Sequence, residues 1–139
     1  MPLLGWSEED VYVVAERAYS LYLQGRHGEA AVVLEGVCVL DPGNRYAAHA
    51  LAAVCLARGQ AERALLHLDR WLDGHPADRE ARARRGEALL ALDRIEEARR
   101  EWEILRRGPS IPEARRFQLR LQAASAAWPA EATGNAGLR

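Results

Sequence analysis

Residues of the same chemical character recur every 34 positions along this 139-residue chain. Small residues, turn residues, large apolar residues and prolines all keep the same register. The small residues are Ala18, Ala52 and Gly86 and then Ala30, Ala64 and Ala98, the turn residues are Gly25, Gly59 and Asp93, the large residues are Leu34, Leu68 and Trp102, and the prolines are Pro42 and Pro76. A period of this length is typical of stacked helix–turn–helix units.

Each recurring class has a physical role in such a unit. Small residues let two helices approach closely, and a large apolar residue fills the gap toward the next unit. Glycine supplies the positive φ that a tight interhelical turn requires, and proline ends the second helix. The pattern resembles the tetratricopeptide repeat. It predicts an all-α fold of three repeats, at 11–44, 45–78 and 79–112, forming a right-handed superhelical solenoid.

The ends of the array carry their own signals. Ser7 followed by Asp10 predicts a capping box at the start of the first helix, and Trp6 with Val11 has the spacing of a hydrophobic staple. Residues 113–128 have an amphipathic pattern and are expected to form a capping helix over the last repeat. The sequence thus predicts one domain over residues 1–128, followed by a disordered tail at 129–139.

The first helices of the repeats are expected to line a concave surface. Helix periodicity places all four tyrosines of the chain on that surface, beside alanines that leave room for pockets. The predicted partner-binding residues are Tyr12, Ala15, Glu16, Tyr19, Tyr22, Leu23, Tyr46, His49, Ala50, Ala53, Leu56 and Arg84. The first two repeats would bind apolar anchors, and the third would offer Glu80, Arg84 and Glu87. A compatible alternative is that the tyrosines pack partly buried between repeats.

Part of the sequence carries a narrower resemblance, over roughly residues 8–107. The residues Ala18, Leu21, Tyr22, Gly25, Ala30, Leu40 and Asp41 are similar to the first repeat of the type III secretion chaperones that hold pore-forming translocator proteins. The resemblance implies a small cytoplasmic chaperone that holds an extended segment of a secretion substrate in its concave groove. Family members usually have a longer N-terminal arm for dimerisation, whereas six residues precede Ser7 here, so their mode of dimerisation is not carried over. A homodimer is left as an open expectation.

Charge and chemistry narrow the function classes. The net charge of −1 lacks the basic footprint that nucleic-acid binding needs, although residues 1–78 are acidic overall and residues 79–120 are basic. The histidines and the two cysteines show no metal-binding spacing, and no catalytic motif is present. We therefore expect no enzyme activity, no metal and no cofactor.

Cys38 and Cys55 are expected to be buried, reduced thiols. No apolar stretch in the sequence has the length of a membrane span.

Four further interpretations remain open from the sequence. The chain could serve another secretion component such as a needle subunit, act as a generic adaptor, or act as an assembly module within a larger complex. A repeat that contacts RNA nonspecifically through its arginine-rich half ranks last. Adaptors that grip the C-terminal tail of a heat-shock protein use Lys and Asn at set positions, whereas the positions here hold Ala15, Tyr19, Ala50 and Glu80, with Arg84 alone of the right charge. An adaptor of that kind is therefore disfavoured. The arginines Arg82, Arg84 and Arg85 are expected to form a solvated helical face.

Overall fold

The structure, a computed structural model, describes residues 7–126. These residues form seven α-helices and no strand. The helices are α1 (Glu8–Leu23), α2 (His27–Leu40), α3 (Arg45–Ala57), α4 (Ala61–Gly74), α5 (Arg79–Ala91), α6 (Ile95–Leu105) and α7 (Pro112–Ala126). Helices α2, α4 and α6 begin 34 residues apart, as do α3 and α5, which confirms the predicted all-α repeat architecture.

The turns between paired helices repeat in detail. Gly25, Gly59 and Asp93 adopt φ values of 79°, 73° and 61°. In each turn the following residue donates its backbone N–H to a carbonyl five residues earlier, as in Arg26 N to Leu21 O at 2.9 Å. This is the Schellman arrangement, which satisfies carbonyls at a helix end and favours glycine. Asp93 takes the same left-handed conformation without being glycine, which an aspartate tolerates better than most residues do.

Side-chain caps start the first helix of each pair. Ser7 Oγ accepts from the Asp10 backbone N–H at 3.0 Å, and the Asp10 carboxylate accepts from the Ser7 backbone N–H at 2.9 Å, which confirms the predicted capping box. This hydrogen bonding holds the pKa of Asp10 below its usual range. Asn44 Oδ1 and Asp78 Oδ1 cap α3 and α5 by accepting from the backbone N–H groups of Ala47 and Ala81. Trp6 of the predicted staple lies outside the described residues.

The helices fall into two compact units, divided between Pro76 and Ala77. In unit 1, α1 packs against α2 and α3, α2 packs against α3, and α3 packs against α4. The small residues of the period are fully buried at these helix contacts, namely Ala18, Ala30, Ala52 and Ala64. Leu34 and Leu51 fill the space around them and are also buried, so the core of unit 1 follows the repeat register.

In unit 2, α5 packs against both α6 and α7. The buried ring of Phe117 on α7 lies over Gly86, where an added Cβ would stand 2.3 Å from the ring. Trp102 meets the same ring edge-on at a centroid distance of 6.4 Å. Helix α7 therefore covers α5 and α6 as a capping helix would, although residues 127 and 128 of the predicted helix, like the predicted disordered tail at 129–139, lie outside the described residues. The single domain over 1–128 stays a prediction.

Candidate functional site

The four tyrosines lie together on the surface of unit 1. Three are on α1, at Tyr12, Tyr19 and Tyr22, and Tyr46 is in the first turn of α3. The ring centroids of Tyr12 and Tyr19 are 6.4 Å and 6.5 Å from that of Tyr46, and those of Tyr19 and Tyr22 are 6.3 Å apart. We call this set the tyrosine wall. It forms because α1 packs against α3 and both helices turn the same face outward.

The tyrosine wall is open to solvent. Tyr12 is 55% exposed, Tyr19 44% and Tyr46 37%, while Tyr22 is half-buried. Aromatic rings that contact one another at 6–7 Å prefer tilted or edge-on geometry, which the Tyr12–Tyr46 and Tyr19–Tyr46 pairs adopt. Mutual contact orders the rings before any partner arrives, so binding would cost less side-chain entropy.

Glu16 adds a negative charge beside these rings. The Tyr12 hydroxyl donates to Glu16 Oε1 at 2.7 Å, across one turn of α1. This hydrogen bond and the carboxylate charge raise the pKa of Tyr12. Burial first, and then the charge of Glu16, raise the pKa of Tyr46. At neutral pH both phenols therefore stay protonated and Glu16 can accept a further donor.

The ring of His27 extends the tyrosine wall across the α1–α2 turn. It stacks on Tyr22 with a centroid distance of 4.9 Å and an interplanar angle of 24°. His27 was missed in the sequence because it opens a second helix, whereas the binding surface was predicted on the first helices of the repeats. The available signal was its place two residues after the left-handed Gly25, where the Schellman turn folds the chain back over the end of α1.

Not every predicted binding residue is accessible. Ala15 has 0% exposure and His49 has 7%, so neither presents a surface to a partner in this structure. Ala15 packs in the core because α2 and α3 cover that side of α1, and His49 lies edge-on against the buried Trp71. The remaining predicted residues of unit 1 are exposed or half-buried, namely Glu16, Leu23, Ala50, Ala53 and Leu56.

The charged residues predicted to face a partner in the third repeat are instead held within unit 2. Glu87 is buried and binds Arg116 and Arg120 of α7. Arg84 is half-buried and donates to Glu80 at 3.0 Å. Glu87 is unavailable to a partner because α7 packs over that side of α5.

The prediction that Arg82, Arg84 and Arg85 form a solvated helical face was wrong, because all three are half-buried. Arg82 and Arg85 both bind Glu101, with nitrogen–oxygen distances of 3.2 and 2.8 Å. Glu101 is 5% exposed, so this carboxylate is nearly removed from water and needs both cations. These arginines join α5 to α6, and their removal would leave the Glu101 carboxylate buried without a counter-charge.

A cavity of about 360 Å³ lies on another part of unit 1, between α2, α3 and α4. Its lining includes Cys38, Leu51, His67 and Trp71. Cys38 is half-buried, whereas the sequence predicted a buried thiol; the fully packed cysteine is Cys55, which is 1% exposed. Burial, together with Glu35 and Asp41, raises the pKa of Cys38 to about 11. The thiol is thus protonated and a poor nucleophile at neutral pH.

Within residues 7–126 no three His, Cys, Asp or Glu side chains converge in a way that could hold a metal ion. Across the same residues, every helix is too short or too polar to cross a membrane. What unit 1 presents is a set of ordered aromatic rings, one carboxylate and adjacent small residues.

A tetratricopeptide repeat family model matches residues 21–80. Comparison with curated proteins gives no significant match. Among solved structures, the first tetratricopeptide domain of Spaghetti (RPAP3) bound to the HSP90 peptide SRMEEVD is 22% identical, with a TM-score of 0.75, and the match covers 89% of this chain and 99% of that one.

Two bacterial proteins are similar to the same degree. PcrH from Pseudomonas aeruginosa is 20% identical, with a TM-score of 0.78 and coverage of 87% of this chain and 96% of that one. The Yersinia enterocolitica type III secretion chaperone SycD, in complex with a peptide of the translocator YopD, is 21% identical, with a TM-score of 0.76 and coverage of 86% and 95%. At such identities the likeness concerns the fold. Residues 21–80 therefore carry tetratricopeptide repeats, and the chain has the all-α architecture of that repeat family.

Proposed function

We propose that this protein is a chaperone that holds an extended segment of a type III secretion substrate, most simply a translocator, against the tyrosine wall. The observation that carries the proposal is the joining of four tyrosine rings on one open surface of unit 1. Tyrosine supplies a large apolar face and a hydroxyl at low entropic cost, which suits a peptide-binding surface. The chaperone would act in the cytoplasm, before its substrate is secreted.

Alanines beside the rings make this surface suitable for side-chain anchors. Ala50 and Ala53 lie one and two turns after Tyr46 on α3 and are half-buried. A small residue next to a standing ring leaves a recess, and recesses near the centre of an interface are where anchors contribute most. An extended segment would place apolar side chains there while its backbone runs past the tyrosine hydroxyls.

Two kinds of relative support different partners. SycD is seen with a peptide of the translocator YopD, and PcrH with the chaperone binding region of PopD. Spaghetti is seen with the HSP90 peptide SRMEEVD, which supports a generic adaptor. The acidic end of that peptide would meet Glu16 at the tyrosine wall, and like charges repel. This favours the secretion-substrate proposal, while a needle-subunit partner stays a variant of it.

Ala50→Glu tests the proposal directly. The substitution fills the recess and sets an unpaired carboxylate where an apolar anchor would lie, while glutamate keeps a good helix propensity. We expect at least ~30-fold weaker binding, which corresponds to ~2 kcal/mol at an interface hot spot. The measurement is fluorescence anisotropy with the YopD peptide and SRMEEVD as probes, with circular dichroism to verify folding.

Matched controls are available on other surfaces. Ala123→Glu makes the same change at an exposed position of α7, and Arg70→Ala changes an exposed residue of α4. Both should bind the YopD peptide as the parent does. Equal binding by folded Ala50→Glu would remove the tyrosine wall as the site, and tighter binding of SRMEEVD than of the YopD peptide would favour the adaptor function instead.

A further inference from the structure

Glu16 lies beside the tyrosine wall and is charged. The other binding residues predicted in the first two repeats are tyrosine, alanine, leucine and histidine. Its carboxylate accepts from the Tyr12 hydroxyl at 2.7 Å, and its charge reaches Tyr46. Within the part of the chain that the structure describes, no arginine or histidine forms an ion pair with Glu16. The carboxylate thus keeps acceptor capacity next to exposed aromatic faces.

Aromatic faces and a carboxylate together suit a cation. A guanidinium or ammonium group is attracted to a ring face within about 6 Å of the centroid, and a carboxylate adds charge and hydrogen bonding. The centroids of Tyr12 and Tyr19 lie 6.4 Å and 6.5 Å from that of Tyr46, so a cation seated over the exposed side of two neighbouring rings can lie within range of both. An anion at the same place would face the negative ring faces and Glu16.

The surrounding charge acts in the same direction. Residues 7–76, which make up the described part of unit 1, hold ten acidic side chains against six arginines. Four of these acidic side chains belong to helix α1: Glu8, Glu9 and Asp10 lie in its first turn, and Glu16 lies beside the tyrosine wall. A basic partner segment would therefore be attracted to this unit before contact, and an acidic one would be repelled.

We propose that the tyrosine wall binds an arginine or lysine side chain of the partner segment, seated on the rings of Tyr12, Tyr19 and Tyr46 and paired with Glu16. This inference rests on the proposed function and narrows it: the recognised segment holds a basic residue among its apolar anchors. The Tyr12 hydroxyl, bound to one oxygen of Glu16, orients the carboxylate and leaves its other oxygen for the incoming cation.

The test uses synthetic peptides of known composition. A library of extended peptides of about ten residues carries two leucine anchors at varied spacing, with one variable residue between them. The tightest binder is then made with arginine, lysine, citrulline or glutamate at the variable position. Citrulline keeps the planar shape of arginine and removes its charge. Affinity is measured by fluorescence anisotropy at low and high salt, since salt screens an exposed ion pair.

We expect arginine to bind about five- to tenfold more tightly than citrulline at low salt, and the advantage to shrink at high salt. Glu16→Gln keeps an oxygen acceptor for Tyr12 but removes the charge, so it should reduce that ratio to about two- to threefold, the part that the ring faces supply, while leaving the citrulline peptide unchanged. Glu62→Gln, at an exposed acid on α4 of the same unit, is the matched control and should keep the full ratio.

The outcomes separate this inference from the function it rests on. If the peptides bind and Ala50→Glu abolishes binding, but arginine and citrulline bind alike, the proposed function stands and the cationic anchor is refuted. An arginine preference that is undiminished in Glu16→Gln also refutes it. If no peptide of the library binds the parent protein, both proposals fall.

Discussion

Gly86 lies beneath the ring of Phe117, so one added methyl group there should destabilise unit 2. A Cβ at Gly86 would stand 2.3, 2.5 and 2.6 Å from Cζ, Cε1 and Cε2 of the ring. Carbon atoms in ordinary contact are about 3.5–4.0 Å apart, so the ring would have to move by about 1 Å. Phe117 is fully buried and Trp102 stands edge-on beside it, which leaves little room for that movement.

Two opposing effects set the magnitude. Overpacking a buried contact costs about 1–3 kcal/mol, while replacing a helical glycine by alanine returns about 1 kcal/mol of helix propensity. A Cβ at Gly86 would come within 2.3 Å of the ring, so its overpacking cost falls in the upper part of that range, at about 2–3 kcal/mol. For Gly86→Ala we therefore expect a net loss of about 1–2 kcal/mol in the free energy of unfolding. At about 4 °C per kcal/mol for a chain of this size, the thermal midpoint should fall by about 4–8 °C. Thermal unfolding followed by circular dichroism measures it.

A matched control isolates the clash. Gly36 also lies inside a helix, α2, but a Cβ there meets no atom within 4 Å. Gly36→Ala should keep the propensity gain alone and raise the midpoint, so the two identical substitutions should have opposite signs. Phe117→Leu removes the clash but has its own cost in lost packing, so the double variant Gly86→Ala/Phe117→Leu should lose less stability than the sum of its two single variants. A Gly86→Ala protein as stable as its parent would refute the packing of α7 on α5.

Two further predictions concern the core of unit 1. Ala64 is fully buried, so Ala64→Leu should overpack the α3–α4 contact and cost about 1–3 kcal/mol in thermal unfolding, and an unchanged midpoint would contradict the repeat register. Cys38, with a pKa of about 11, holds thiolate on the order of 0.1% at pH 8, and Cys55 is packed at 1% exposure. Both should react slowly with a thiol reagent until the chain is denatured; fast native labelling would show that these thiols are accessible.

The repeat register was predictable because it depends on local chemistry that recurs at one spacing. Gly25 and Gly59 take the positive φ that their sequence position implies, and Pro42 and Pro76 follow the ends of α2 and α4. Asp93 shows that the turn, and not the glycine, is the repeated feature. Backbone hydrogen bonds across the helix end hold that conformation even where the side chain is less suited to it.

Burial was harder to predict, because it depends on the neighbour that covers each face. Helix periodicity places Ala15 and Glu87 on the inner face of their helices, and both are buried by other helices. Glu87 became a partner of arginines on α7, a helix the sequence identified without its register against α5. A single-helix pattern carries no information on how closely the next helix approaches.

The tyrosine wall depends both on local spacing, which was predictable, and on packing between helices, which was not. The sequence therefore predicted its tyrosines correctly but also included buried residues and missed His27. Its rings come from residues one or more helical turns apart on α1 and from the first turn of α3, so periodicity alone was enough to bring them to one face. The contacts that give the wall its chemistry are of another kind. The Tyr12–Glu16 hydrogen bond requires particular rotamers, and the His27 stack requires the chain reversal at Gly25. Periodicity thus locates the surface, and side-chain geometry across a turn determines whether it favours a cation or an anion.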